Sequence, residues 1–221
     1  LSEMRVGGAV SLAGPIEFEN IDVGGSLKVK GDLTVRGNMK IGGSASIEGN
    51  LKAGRVKIGG SISVQGRIVA EELTIGGAGS VGEGVIGELL LGGSLKAGRL
   101  YVGKARISGR FTGVIIGKTV IVEKKSKVEG TVVAGNLVAR RNSEIEEAYA
   151  VEAEVERGAE ISKLHCVKCV LGKKSWVGLL RYKESYKDEG CDIDKIEEAE
   201  DIPELAELKE LEDRLTSLQL G

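Results

Sequence analysis

The sequence predicts an all-β solenoid, and three observations lead there. An aliphatic residue followed by a glycine pair recurs along the first half: VGGAVSL from Val6, VGGSLKV from Val23, IGGSASI from Ile41, IGGSISV from Ile58, IGGAGSV from Ile75 and LGGSLKA from Leu91. Successive starts lie 17, 18, 17, 17 and 16 residues apart. That period is too short for a two-helix repeat and suits single coils of short strand. The spacing then outlives the glycines, with VEKKSKV from Val122, ARRNSEI from Ala139, VERGAEI from Val155 and LGKKSWV from Leu171 at steps of 17, 16 and 16. Within each repeat the apolar residues alternate with period two, as strands require.

One repeat shows the template. From Ile41 to Lys57, aliphatic or small residues stand at Ile41, Ile47, Leu51, Ala53 and Val56, with Ile58 opening the next repeat. Alternation breaks at GGSAS and at GR, where the chain must turn, and glycine takes positive φ there without a Cβ penalty. Three strands and three corners per coil follow, giving a three-sided parallel β-helix. The general preference of parallel crossovers makes it right-handed. Val64, Ile68, Ala70, Leu73 and Ile75 repeat the pattern, as do Val128, Val132, Ala134, Leu137 and Ala139, and Ile145, Ala148, Ala150, Ala153 and Val155. Three shortened turns fill the interval from Ile75 to Val122. About ten turns then separate Val6 from Leu171, a rod of roughly 50 Å at the usual strand spacing.

Composition agrees. Apolar residues make up 41% of the 221 and aromatics only 3%, which suits a narrow aliphatic core. Net charge is −2, but residues 181–221 hold 14 acidic and 6 basic residues, a net of −8, leaving +6 for the remainder. The chain divides into a β-helix over 1–180, an acidic linker over 181–200 with a short helix around 193–199, and an amphipathic helix over 201–221. Leu205, Leu208, Leu211, Leu215 and Leu218 share one face of that last helix. Asp201 and Glu204 have capping-box spacing, and Pro203 suits a first turn. The Leu face is expected to cap the exposed last coil, the alternative being a dimerising or partner-binding element.

GNLKA at Gly49 and VEKKSKVEGTVVAGNLVA at Val122 resemble the repeats of bactofilins, polymer-forming cytoskeletal proteins. The resemblance covers about residues 6–178 and is closest from Ala97 to Ile145. It implies a right-handed three-sided β-helix and a structural, self-assembling role.

Chemistry is sparse. His165 is the single histidine, so a three-histidine metal site cannot form within one chain, and no phosphate-binding loop follows a strand. His165, Cys166 and Cys169, with Cys191 downstream, have the composition of a Cys3His zinc site. The template instead turns Leu164, Cys166, Cys169 and Leu171 inward as core. Lys124, Arg141, Arg157 and Lys173 share one repeat position, widened by Lys125, Arg140 and Lys174, and should stack as a basic column. Either Glu123, Glu144, Glu156 and Glu160 neutralise it, or it docks an anionic partner: the acidic tail, a membrane surface or nucleic acid. Base-stacking aromatics are missing apart from Trp176, which argues against sequence-specific nucleic-acid binding.

The expected function is therefore a non-enzymatic scaffold of the bactofilin type, without cofactors. It would self-associate end-to-end or head-to-head through open coil termini around Val6, Val10 and Leu12. The alternative is a binding module presenting the basic strip and Leu helix to an anionic or protein partner. Cysteine usage suggests a reducing, cytoplasmic compartment, with a membrane surface among the partners open to the basic strip. No apolar run approaches membrane-spanning length, and Leu1 in place of methionine leaves room for a removed leader.

Overall fold

The computed structural model describes residues 3–219; Leu1 and Gly221, the expected outer limits of solenoid and helix, lie outside the described residues. Seventeen strands among the described residues form one continuous parallel sheet that coils on itself. Ala9, Ser26, Ser44, Ser61, Ala78, Ser94, Arg110, Lys127, Glu144, Glu160, Trp176 and Asp192 stand one above another, giving about 12 turns. The ladder Val6, Val23, Ile41, Ile58, Ile75, Leu91, Ile107, Val122, Ala139, Val155 and Leu171 is likewise in register. The first turns are built from short strands such as Glu3–Val6, Ala9–Ala13 and Ile16–Phe18. Later ones run through their bends as single strands, from Ser61–Ile75 to Glu160–Leu171.

Every inward position expected from the repeats is buried, from Ile41 and Ile47 to Ala153 and Val155. One aliphatic column therefore runs through the rod, broadened by Phe18 and Phe111. Each side chain packs on its equivalents in the coils above and below, so a narrow core suffices without aromatic bulk.

The glycine pairs have a specific cause. From Gly25 onward, a Cβ on the second glycine of each pair would meet the carbonyl oxygen of the coil beneath, at 2.2 Å for Gly43, 2.1 Å for Gly60, 2.0 Å for Gly77 and 1.9 Å for Gly93. Stacked backbones leave no room there for a side chain. From Val122 onward this corner changes type. Ser126, Ser143, Ala159 and Ser175 donate their N–H to the carbonyls of Glu123, Arg140, Glu156 and Gly172, closing four-residue turns. The third residue of each turn is left-handed: Lys125 (φ 58°), Asn142 (φ 56°), Gly158 (φ 72°) and Lys174 (φ 57°). The fourth turns inward, and at that point Ser126, Ser143, Ala159 and Ser175 are all buried. Ser175 Oγ donates to the Gly172 carbonyl at 2.6 Å, whereas Ser143 Oγ is buried with no partner.

The end of the chain departs from expectation. Residues 181–200 are no linker: strands Trp176–Asp188 and Asp192–Glu198 add the final coil, and the latter replaces the helix expected around 193–199. Parallel pairing asks for backbone and a few inward apolar groups, here Leu180, Tyr182 and Ile193. Its charges all fit on the solvent side, so composition alone misreads it. A 3-10 turn, Pro203–Ala206, then leads into helix α1, Glu207–Gln219. Pro203 takes the first turn as expected, but Asp201 does not cap the helix. Its carboxylate accepts the Ile202 N–H and pairs with Lys183 at 3.3 Å, which holds it below the usual range.

Two substitutions test the stacking. Gly77→Ala should destabilise the rod by about 1–3 kcal/mol through overpacking, while Gly76→Ala, whose nearest atom would be 3.6 Å away, should be close to neutral; thermal melts compare them. Ser143→Ala should stabilise by about 1 kcal/mol by removing an unpaired buried hydroxyl, read as a higher melting temperature.

Candidate functional site

Two surfaces carry what chemistry the molecule has: the flank covered by the tail and the corner that changes type at Val122. The flank begins with an outward-facing row, Val69, Val85, Tyr101, Ile116, Val133, Tyr149, His165 and Arg181, each in register with the next. An outward row that is apolar over six coils needs a cover, and the tail supplies it. Leu211 is 1% exposed, and Leu205, Leu208, Leu215 and Leu218 are partly buried in the same cluster as Val85, Tyr101, Ile116, Val133 and Tyr149. The row from Val69 to Tyr149 spans about 24 Å at the strand spacing, close to the ~20 Å rise of α1 plus the turn before it.

The tail is therefore a flank cover rather than a lid on the last coil, and its Leu face is occupied by its own solenoid. The missed signal was in the sequence: Ile68-Val69-Ala70, Leu100-Tyr101-Val102, Val132-Val133-Ala134 and Ala148-Tyr149-Ala150 replace alternation with continuous small or apolar runs. Such runs mark a strand buried on both faces. Arg99 pairs with Glu207 at 3.0 Å, Lys118 with Glu212 at 2.8 Å, and the Arg214 guanidinium lies 4.2 Å from the Tyr101 ring centre. Half-exposed pairs of this kind contribute about 0.2–1 kcal/mol each. Burying a Leu contributes about 1.5–3 kcal/mol, so apolar packing holds the helix and the ion pairs set its register.

The Cys3His set does not assemble. Cys166 and Cys169 point into the core, 0% and 4% exposed, while His165 faces outward onto the flank. Adjacent residues of a strand face opposite sides, so His165 and Cys166 cannot share a metal. The Cys166 thiol lies against Cys169, and that contact together with burial holds its proton firmly. Cys191 sits half-buried in the final coil, its Sγ donating to the Asp192 carbonyl at 3.5 Å. Among the described residues no three His, Cys, Asp or Glu groups converge as a metal site.

His165 stacks on Tyr149, with ring centres 4.6 Å apart and 22° between planes. Tyr149 donates to Glu147 at 3.1 Å, and burial with this bond pushes its pKa up to about 12. Burial and the nearby Arg181 hold the imidazole below its ordinary pKa, against the pull of Glu204 and Glu147. A surface groove of about 830 Å³, lined by Val138, Lys168, Val170 and Tyr186, does not contain His165.

The corner is the second surface. Lys124, Arg141, Arg157 and Lys173 occupy one turn position in successive coils, as expected, with Lys125 and Lys174 beside them; all six are exposed. Arg140 instead turns to Glu156 at 2.5 Å. The helical part of the acidic tail does not reach this corner, since Glu207 and Glu212 pair with Arg99 and Lys118. The final coil does: the Gly190 carbonyl accepts the Lys174 N–H at 2.8 Å, and Glu189, paired with Lys187, lies near Lys173. Nor do the neighbouring acids neutralise it by direct pairing: Glu123 binds Arg106, Glu144 binds Lys127 and Glu156 binds Arg140.

No helix among the described residues is long and apolar enough to cross a membrane. Comparison with protein-family models, curated proteins and solved structures finds no match to this chain.

The flank should be pH-sensitive. A histidine whose pKa falls on folding leaves stability intact above about pH 6.5, and that stability declines as pH drops from there toward the folded-state value, since the unfolded chain binds the proton first. Thermal melts at pH 7.5 and 5 should show this loss, reduced in His165→Phe, which keeps the stacking without the titration.

Proposed function

We propose that the chain is a non-enzymatic structural element, a β-solenoid rod that self-associates through its N-terminal coil. The observation that carries this reading is the state of that end. Strands Glu3–Val6, Ala9–Ala13 and Ile16–Phe18 pair only with the coil above, among the described residues, leaving the opposite backbone edge open. Met4, Val6, Val10, Leu12 and Ile16 are only partly buried against the core, so among the described residues this end of the aliphatic column is the less covered. Unpaired parallel edges over an apolar cross-section favour association.

The other end is different. Strand Asp192–Glu198 presents Asp192, Asp194, Lys195, Glu197 and Glu198, and like charges oppose close approach of two such ends. Head-to-head pairing of N-terminal coils is thus favoured over a continuous head-to-tail filament. The likeness of the repeats to bactofilins supports a scaffold of that type, and the free thiols of Cys166, Cys169 and Cys191 suit a reducing, cytoplasmic setting. A single histidine, stacked and buried on the covered flank, offers little for acid–base catalysis.

Val10→Asp combined with Leu12→Asp should convert the oligomer to a monomer by light-scattering mass measurement, with the β spectrum retained. A wild-type chain that stays monomeric at high concentration would refute the reading.

A further inference from the structure

Elsewhere on this rod, residues one coil apart pair with opposite sign: Arg55 with Glu72, Lys104 with Glu88, Lys163 with Glu147, and Arg181 with Glu197. The corner from Lys124 to Lys174 breaks that rule by stacking like on like. Lys124, Lys125, Arg141, Arg157, Lys173 and Lys174 make no ion pair among the described residues. Of the acids beside it, Glu123, Glu144, Glu156 and Glu189 already bind Arg106, Lys127, Arg140 and Lys187, which leaves Glu160 uncommitted. Like charges about 5 Å apart repel, so the column stands at a free-energy cost.

Backbone strain adds to that cost. Lys125 and Lys174 hold left-handed φ of 58° and 57° at the turn position that Gly158 and Asn142 fill in the coils between. A left-handed lysine costs about 1–2 kcal/mol relative to a relaxed conformation. Strain of this kind concentrates where a side chain has a use. The corner also holds one oxyanion of its own: the Glu156 carboxylate accepts the backbone N–H of Arg141 at 3.2 Å. Between the turns lies an open groove of about 550 Å³ lined by Arg141, Asn142, Arg157, Gly158, Glu160 and Lys174.

We infer that this ridge binds the phosphodiester backbone of a single-stranded nucleic acid, without sequence preference. The cations form a straight line along the rod, spanning about three strand spacings or 14 Å. The ridge is narrow, with Glu123, Glu144, Glu156 and Glu160 beside it. A broad anionic surface such as a bilayer would press its headgroups against those carboxylates, whereas a thread-like chain touches only the cations. Arg141 and Arg157 present planar forks, one coil apart, that match phosphate oxygens. Trp176 is the one aromatic nearby, and its indole N–H is engaged by Asp194 at 3.2 Å, so base stacking adds little and sequence is not read. This inference stands whether or not the rods associate end to end.

The test is fluorescence anisotropy of the full-length chain with a labelled mixed-sequence single-stranded oligonucleotide at low salt. Binding is expected, with log K falling against log salt at a slope of about −3 to −4 for four to six phosphates. Reversing Lys124, Arg141, Arg157 and Lys173 to Glu should weaken it at least about tenfold relative to a charge-matched control reversing the exposed lysines Lys30, Lys40, Lys57 and Lys96, with circular dichroism unchanged in both. Absence of binding, or equal weakening by the two variants, overturns the inference. So does binding to anionic vesicles without binding to the oligonucleotide. Displacement of the oligonucleotide by polyglutamate at equal charge would overturn it too, assigning the ridge to an acidic protein.

Discussion

In-register stacking of each coil on the next is the constraint on which everything else in this molecule rests. Through the body of the rod, strand residues have counterparts one strand spacing above and below, about 4.8 Å away. Whatever a position carries is therefore multiplied into a column. Aliphatic columns fuse into a continuous core, and a corner whose stacked backbones exclude one Cβ excludes it in each successive coil that keeps that corner geometry. The glycine pairs from Gly24 to Gly93 are thus a single steric fact repeated.

Charge obeys the same rule with the opposite preference. Identical side chains gain by stacking when apolar and lose by stacking when ionised. The faces resolve this by alternating sign between coils, as Glu147 with Lys163 and Arg181 with Glu197 do. At the corner, the glycine pair gives way to a hydrogen-bonded turn just where cations accumulate. The turn lengthens as the strands shorten, from the 15 residues of Ser61–Ile75 to the 12 of Glu144–Val155, so the repeat is conserved while its corner gains side chains.

The tail follows from a local failure of alternation. Where outward positions become Val, Ile and Tyr, the sheet has apolar groups on both faces, and the second face must be covered. Helix α1 is too short to be stable alone; it exists because that row lies beneath it. His165 stands at the row's upper limit, where the cover thins and the next outward group is Arg181. Burial there makes its protonation unfavourable and ties the edge of the covered flank to pH.

The strand period, the inward residues and the aliphatic ladder were legible in the sequence because each depends on backbone geometry and nearest neighbours along the chain. The alignment of Lys124, Arg141, Arg157 and Lys173 was legible for the same reason, since equal spacing in a solenoid becomes vertical alignment. The strand character of residues 181–198 was not, because an end coil needs few inward apolar groups and its charges mask the pattern. The inward placement of Cys166 and Cys169 was legible too, because the repeat template turns both into the core despite their zinc-like composition with His165. Sequence by itself determined the coil and its contents, which are local and repetitive. Only the tertiary structure decided where the Leu helix lies, which acids the neighbouring cations had already taken, and which cations were left over, because those are competitions among groups distant in the chain and their outcome depends on relative position in space.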